Sequence, residues 1–155
     1  MTAERRTFGP VAHYLPHRPP MLLIDEIVAF GGDQVICKTK IAPECVFAVD
    51  GRVHASAMIE FVAQACAIYS TLVAADAEAP ARVGLIMGCR EVTLDVDELA
   101  VGEELTITAT RVYGHELMAA FTGAVHVGAR RCATVQLSVV DAEVAGAGQA
   151  QDGEP

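Results

Sequence analysis

Apolar and polar positions change rhythm along this chain, and each change predicts an element. The longest uninterrupted pattern is HASAMIEFVAQACAIYSTLVA, from His54 to Ala74, which has no Gly, no Pro and no basic residue after His54. Its length and lack of breakers predict a helix starting near Ser56, of about 18 residues and about 27 Å. Met58, Ile59, Phe61, Val62, Ile68, Leu72 and Val73 fall on every side of that helix, so it is expected in the core. Such a length falls short of a membrane span, and Glu60 and Gln64 interrupt it.

Around this helix the pattern is that of strands. Met21 to Phe30 and Gln34 to Ile41, joined by Gly31-Gly32-Asp33, predict a hairpin. Before it, Val11 to Tyr14 allows a short helical turn, and LPHRPP (Leu15 to Pro20) forces extended backbone. Ala42 to Arg52 is expected to be a loop and Asp76 to Arg82 a polar connection. Val83 to Val92, Leu105 to Val112, Leu117 to Val127 and Arg131 to Val140 then predict four strands in a meander, separated by DVDELAVGEE, by Tyr113-Gly114-His115-Glu116 and by Gly128-Ala129. The expected class is α+β: a curled antiparallel sheet wrapped around one long central helix. A single sheet leaves part of that helix open, which predicts a dimer. The predicted organisation is a loosely held segment over 1–10, one domain over 11–140, and a disordered acidic tail over 141–155.

Charge and cysteine content narrow the class. Twenty acidic against 11 basic residues give a net charge of −9, which speaks against nucleic acid and anionic membranes as partners. Five cysteines without CxxC or metal-type spacing, and an N-terminus without signal-peptide form, predict a cytoplasmic protein with no structural disulfide, metal or cofactor. Nucleophile elbow, P-loop, zinc and dinucleotide fingerprints are not found in the sequence. What stands out is Glu60, a carboxylate on an apolar helix with Gln64 one turn on, because such a group is costly unless it is paired, neutral or useful.

LPHRPPMLLIDEIV, SAMIEFVAQA, and VGLIMGCREVTL followed by DELAVGEELTI together resemble the bacterial 3-hydroxyacyl-acyl carrier protein dehydratases, over roughly Tyr14 to Val140 and in the same order. Closer still, the chain resembles the divergent branch of predicted dehydratases associated with aryl-polyene and related pathways. The resemblance implies the hot-dog fold, two chains pairing with active sites at their interface, and an acyl carrier protein as the partner that delivers a thioester. It also implies an acid–histidine pair. Glu60 matches the acid, but the family's loop histidine does not carry over, since Val46 stands in its place.

His17 and His54 are the candidate replacements. His17 matches a family position near the acyl tunnel, and His54 stands at or just before the helix start. Pro16, Arg18, Ala55, Ser56 and Gln64 complete the candidate substrate-binding set. In that chemistry the histidine takes a weakly acidic α-proton, and the carboxyl serves the leaving hydroxyl. Amides from Ala55 to Ala57, at the positive end of the helix, are expected to hold the thioester oxygen. Arg18, Arg52, Arg82, Arg90, Arg130 and Arg131 are the candidate contacts to an acidic carrier. Three activities remain open: dehydration of a 3-hydroxyacyl thioester, thioester hydrolysis on the same fold, or a non-catalytic subunit pairing, as homodimer or heterodimer, with a related hot-dog protein.

Overall fold

The computed structural model describes residues 6–115 and 117–143. Glu116 of the expected third turn, the first five residues and most of the expected tail lie outside the described residues. A turn of 3-10 helix at Val11–His13 precedes the hairpin of β1 (Glu26–Gly31) and β2 (Gln34–Lys40). Two short strands follow, β3 (Ala48–Val49) and β4 (Arg52–His54), then a 3-10 turn at Ala55–Ala57 that runs into α1 (Met58–Asp76). After α1 come β5 (Gly84–Leu94), β6 (Glu98–Ala100), β7 (Glu104–Gly114), β8 (Met118–Val127) and β9 (Arg130–Asp141).

Six strands form the main antiparallel sheet, in the order β1-β2-β7-β8-β9-β5, and it curls around α1. Alternation along each strand sets the inner face: Val35 and Cys37, Leu105, Ile107 and Ala109, Phe121 and Val125, Val135 and Leu137 are all buried. Against them α1 packs Phe61, Val62, Ala65, Ile68, Tyr69 and Leu72. The Tyr69 ring meets Phe30 and Phe121 edge-on, each at 5.6 Å between centroids, and its hydroxyl donates to the Gly32 carbonyl. At Gly123 on β8 helix and sheet approach closely, since a Cβ there would collide with the Val62 side chain. With its leading turn, the helix spans Ala55–Asp76, 22 residues, which is long and apolar enough to cross a membrane by length and composition. Its place in the hollow of the sheet makes it a core helix.

Four expectations change. The first half of the expected strand Met21 to Phe30 is not strand, because Met21 and Leu23 direct backbone groups to Gln64 instead of to β2. The expected loop Ala42 to Arg52 and the link after β5 contain β3, β4 and β6, which form a second, three-stranded sheet. The four late strands are not one meander: β7, β8 and β9 are, whereas β5 pairs with β9 and forms an edge. Nor does the expected tail begin at Asp141, which closes β9 opposite Gly84 with its side chain only 7% exposed. At the other end of the domain, Arg6 already pairs with Asp76 and lies over the Phe8 and Phe30 rings.

Candidate active site

One face of α1 is left partly open by the sheet. It carries Glu60, Ala63, Ala67, Ser70 and Ala74, and a cavity of about 130 Å³ lies against it. Glu60 sits at one end of this cavity with His17 beside it, the His17 Nε2 being 3.7 Å from Glu60 Oε1. Both side chains are about a third exposed, at 30% and 29%, so the pair stands at the cavity's mouth and is not enclosed.

His17 is positioned by its loop. Pro16 restricts the backbone before it, and the Arg18 guanidinium donates to the carbonyls of Leu15 at 2.8 Å and His17 at 2.7 Å, which ties the turn to itself. The His17 Nδ1 is buried without a hydrogen-bond partner among the described residues, so no neighbouring group fixes the ring's tautomer.

Gln64 links this loop to the acid. It is 1% exposed, and each of its amide atoms is engaged: Oε1 accepts from the Leu23 N–H at 2.9 Å, while Nε2 donates to the Met21 carbonyl at 2.7 Å and to Glu60 Oε1 at 3.0 Å. The sequence marks Gln64 as substrate-binding. Both of its amide hydrogens are committed within the protein, so it acts as a brace that aims Glu60 and holds the segment after His17.

The other candidate residues lie elsewhere. His54 does not line the cavity: its Nδ1 accepts from the Ser56 N–H at 3.2 Å and lies 2.8 Å from Ser56 Oγ, which makes it the cap of the turn leading into α1. Ala55 N–H donates to Asp97 O and Ser56 N–H to His54 Nδ1, so two of the expected amides from Ala55 to Ala57 are already engaged within the protein. Pro16 and Arg18 are exposed, outside the cavity lining, and Val46 is an exposed loop residue. Among the candidate carrier contacts, Arg52, Arg82, Arg130 and Arg131 pair with Glu98, Asp141, Glu103 and Asp95. The Arg131 guanidinium holds the Asp95 carboxyl below its usual range. Arg18 and Arg90 have no carboxylate partner among the described residues. No cluster of metal-ligating side chains occurs among those residues either.

Comparison with known proteins agrees with this fold. The dehydratase heterocomplex ApeI:P from Xenorhabdus doucetiae contains a chain of similar fold, with a TM-score of 0.82 at 23% identity, covering 87% of this chain and 92% of that one. A hypothetical thioesterase with coenzyme A from Streptococcus pneumoniae TIGR4 superposes with a TM-score of 0.60 at 12% identity, covering 75% and 84%. The PaaI protein of the Escherichia coli phenylacetic acid degradation operon gives 0.58 at 9%, covering 74% and 81%. No curated protein sequence matches. The fold is the hot-dog fold, and the chain is a 3-hydroxyacyl dehydratase-like protein. It belongs to the ApeP-like family, that of the ApeP dehydratase, whose model matches residues 9–150.

Proposed function

We propose that His17 and Glu60 eliminate water from a 3-hydroxyacyl thioester delivered by an acyl carrier protein, giving the trans-2-enoyl thioester. The observation that carries this reading is the 3.7 Å approach of His17 Nε2 to Glu60 Oε1 at the mouth of an apolar cavity. With its proton on Nδ1, the His17 ring takes the α-proton at Nε2; the electrons of that C–H bond form the double bond as the C3–O bond breaks. Glu60, as the protonated acid, gives its proton to the departing hydroxyl, which leaves as water. The histidine is then protonated and the carboxylate ionised. Transfer of that proton across the short gap, directly or through one water, resets the pair. Gln64 keeps the carboxyl aimed throughout, and the Arg18-tied turn keeps the ring in reach.

The assembly proposed for this chemistry is a pair of hot-dog chains, either two copies or this chain with a related one. The support is β5, whose outer edge has no strand beside it among the described residues and which exposes Leu85, Ile86, Met87, Val92 and Leu94. Arg18, exposed beside His17 and without a carboxylate partner, is the basic group that suits an acidic carrier at the cavity mouth.

The test is turnover of a 3-hydroxyacyl-carrier substrate, followed as enoyl thioester, with melting measured alongside. Glu60→Gln should remove most of the rate, and His17→Ala should lower it by roughly 10²-fold. Undiminished turnover in either folded variant refutes that residue's role. Light scattering should give about twice the chain mass for a homodimer. A stable monomer both alone and beside a related hot-dog protein refutes the assembly.

A further inference from the structure

Two polar side chains are buried among the described residues, Thr39 on β2 and Gln64 on α1. Both bond to the same residue, Leu23, in the segment that follows His17. Gln64 Oε1 accepts from the Leu23 N–H, and the Thr39 hydroxyl donates to the Leu23 carbonyl at 2.7 Å. Alternation along β2 puts Thr39 on the inner face with Val35 and Cys37. Valine would suit that strand position equally well, and a buried hydroxyl is costly unless bonded, so packing alone does not require one here. Backbone pairing of the hairpin ends at Asp25, whose N–H donates to the Lys38 carbonyl at 3.1 Å. Beyond it, the Leu23 backbone is held by side chains alone. The turn before it is tied to itself, since the N–H groups of Met21 and Leu22 donate to the Arg18 carbonyl at 2.9 and 3.2 Å. The turn carrying His17 is therefore a unit. Among the described residues, its hydrogen bonds to the sheet and helix run through Met21 and Leu23.

We infer that Thr39 is a positioning residue for the reaction at Glu60. Through Leu23 it anchors the His17 turn to the sheet, and it fixes the N–H that orients the Gln64 amide and so the acid. The inference rests on the reading above, because it takes His17 and Glu60 to be the reacting pair. With both its N–H and its carbonyl engaged, Leu23 has a fixed backbone. Without the hydroxyl the carbonyl loses its donor, the segment can swing, and the 3.7 Å spacing of His17 and Glu60 is no longer set. Proton transfer is sensitive to such changes, since a misplacement of about 1 Å can lower a rate about 10²-fold. Thr39 does not line the cavity at Glu60, so its loss should appear in kcat and leave KM nearly unchanged.

The test combines kinetics with amide hydrogen exchange on the assembled protein. Thr39→Val should lower kcat at least fivefold with KM within about twofold. The Leu23 amide should exchange at least tenfold faster, while amides of β7 keep their rates. Thr39→Ser restores the hydroxyl and should keep both kcat and exchange near the parent values. Thr39→Ala, which leaves room beside the carbonyl, carries the test if Thr39→Val fails to fold. Ile107→Val, a core deletion on β7 that leaves these hydrogen bonds in place, is the control for lost stability. An unchanged kcat in folded Thr39→Val or Thr39→Ala overturns the inference. So does a fall that Ile107→Val reproduces at an equal loss of Tm, or an exchange rate that rises evenly across the sheet. If the parent turns over no 3-hydroxyacyl thioester, the dehydratase reading falls by itself. The exchange data alone then uphold or overturn the hold of Thr39 on the His17 turn.

Discussion

Replacing Gln64 with Met tests the link between the fold and the candidate site most directly. The two side chains are close in volume, so the core around position 64 stays filled, but a thioether cannot donate and accepts only weakly. The Leu23 N–H then loses its acceptor, and the Met21 carbonyl and the Glu60 carboxyl each lose a donor. Glu60 can turn to water; the backbone groups beside a fully buried position have less access to it. At about 1–3 kcal/mol for each of two stranded groups, the expected loss is about 2–6 kcal/mol out of a total stability of about 5–15 kcal/mol. For a chain of this size that corresponds to a fall in Tm of about 4–24 °C, read by circular dichroism and checked by urea titration. Freed from its brace, Glu60 samples other rotamers, so kcat should fall while KM changes little. A Tm within about 2 °C of the parent would refute the claim that this amide braces the loop. An unchanged kcat in a destabilised but folded variant would show that Gln64 holds the loop without aiming the acid.

Three further outcomes are expected. Gly123→Ala should destabilise by about 1–3 kcal/mol through overpacking against Val62, and Val62→Ala should relieve it, so a double-mutant cycle by denaturant titration must show coupling. His54→Ala should cost about 1 kcal/mol as a lost cap, with a smaller loss of kcat than His17→Ala; an equal loss would return His54 to the site. Burial pushes the Cys37 thiol up to about 12 and the Cys66 thiol upward as well, whereas Cys89 is exposed on β5. At pH 8 a thiol reagent should therefore leave Cys37 and Cys66 untouched until the protein unfolds, as mass spectrometry would show, and Cys89 should be slowed when β5 is covered.

What the sequence revealed depended on how local each signal was. The buried helix, the β1–β2 hairpin and the β7–β8–β9 run are written in spacing and turn residues that lie close together. The partner of β5 is not. Alternation identifies a strand, but nothing local in GLIMGCREVTL says that β9 and not β7 lies beside it. Glu60 was visible as a misfit on an apolar helix, and His17 as one of two candidate histidines, singled out by its place in the LPHRPP stretch that carries the family resemblance. Which of the two stands beside the acid depends on how the proline-rich segment crosses α1. The bracing role of Gln64 left no signal in composition or period, because both of the backbone groups it satisfies belong to a stretch that looks like strand. The Ala55 and Ser56 amides looked available only because the Asp97 carbonyl, just before β6, and the His54 cap, which occupy them, could not be foreseen.

The lateral position of β5 also bears on how the chain reaches its folded state. Its one neighbour in the main sheet is β9, the last strand. During synthesis the β1–β2 hairpin and α1 emerge early, and β7 and β8 extend the hairpin as they appear. Through all of this β5 has no strand to pair with and must wait until β9 has left the ribosome. Its apolar residues are therefore exposed throughout translation, and the cavity wall formed by Gly84 and Ile86 is the last part of the candidate site to be built. Slow or failed synthesis should accordingly yield a collapsed but edge-sticky intermediate, recognisable by its affinity for chaperones that hold exposed strands.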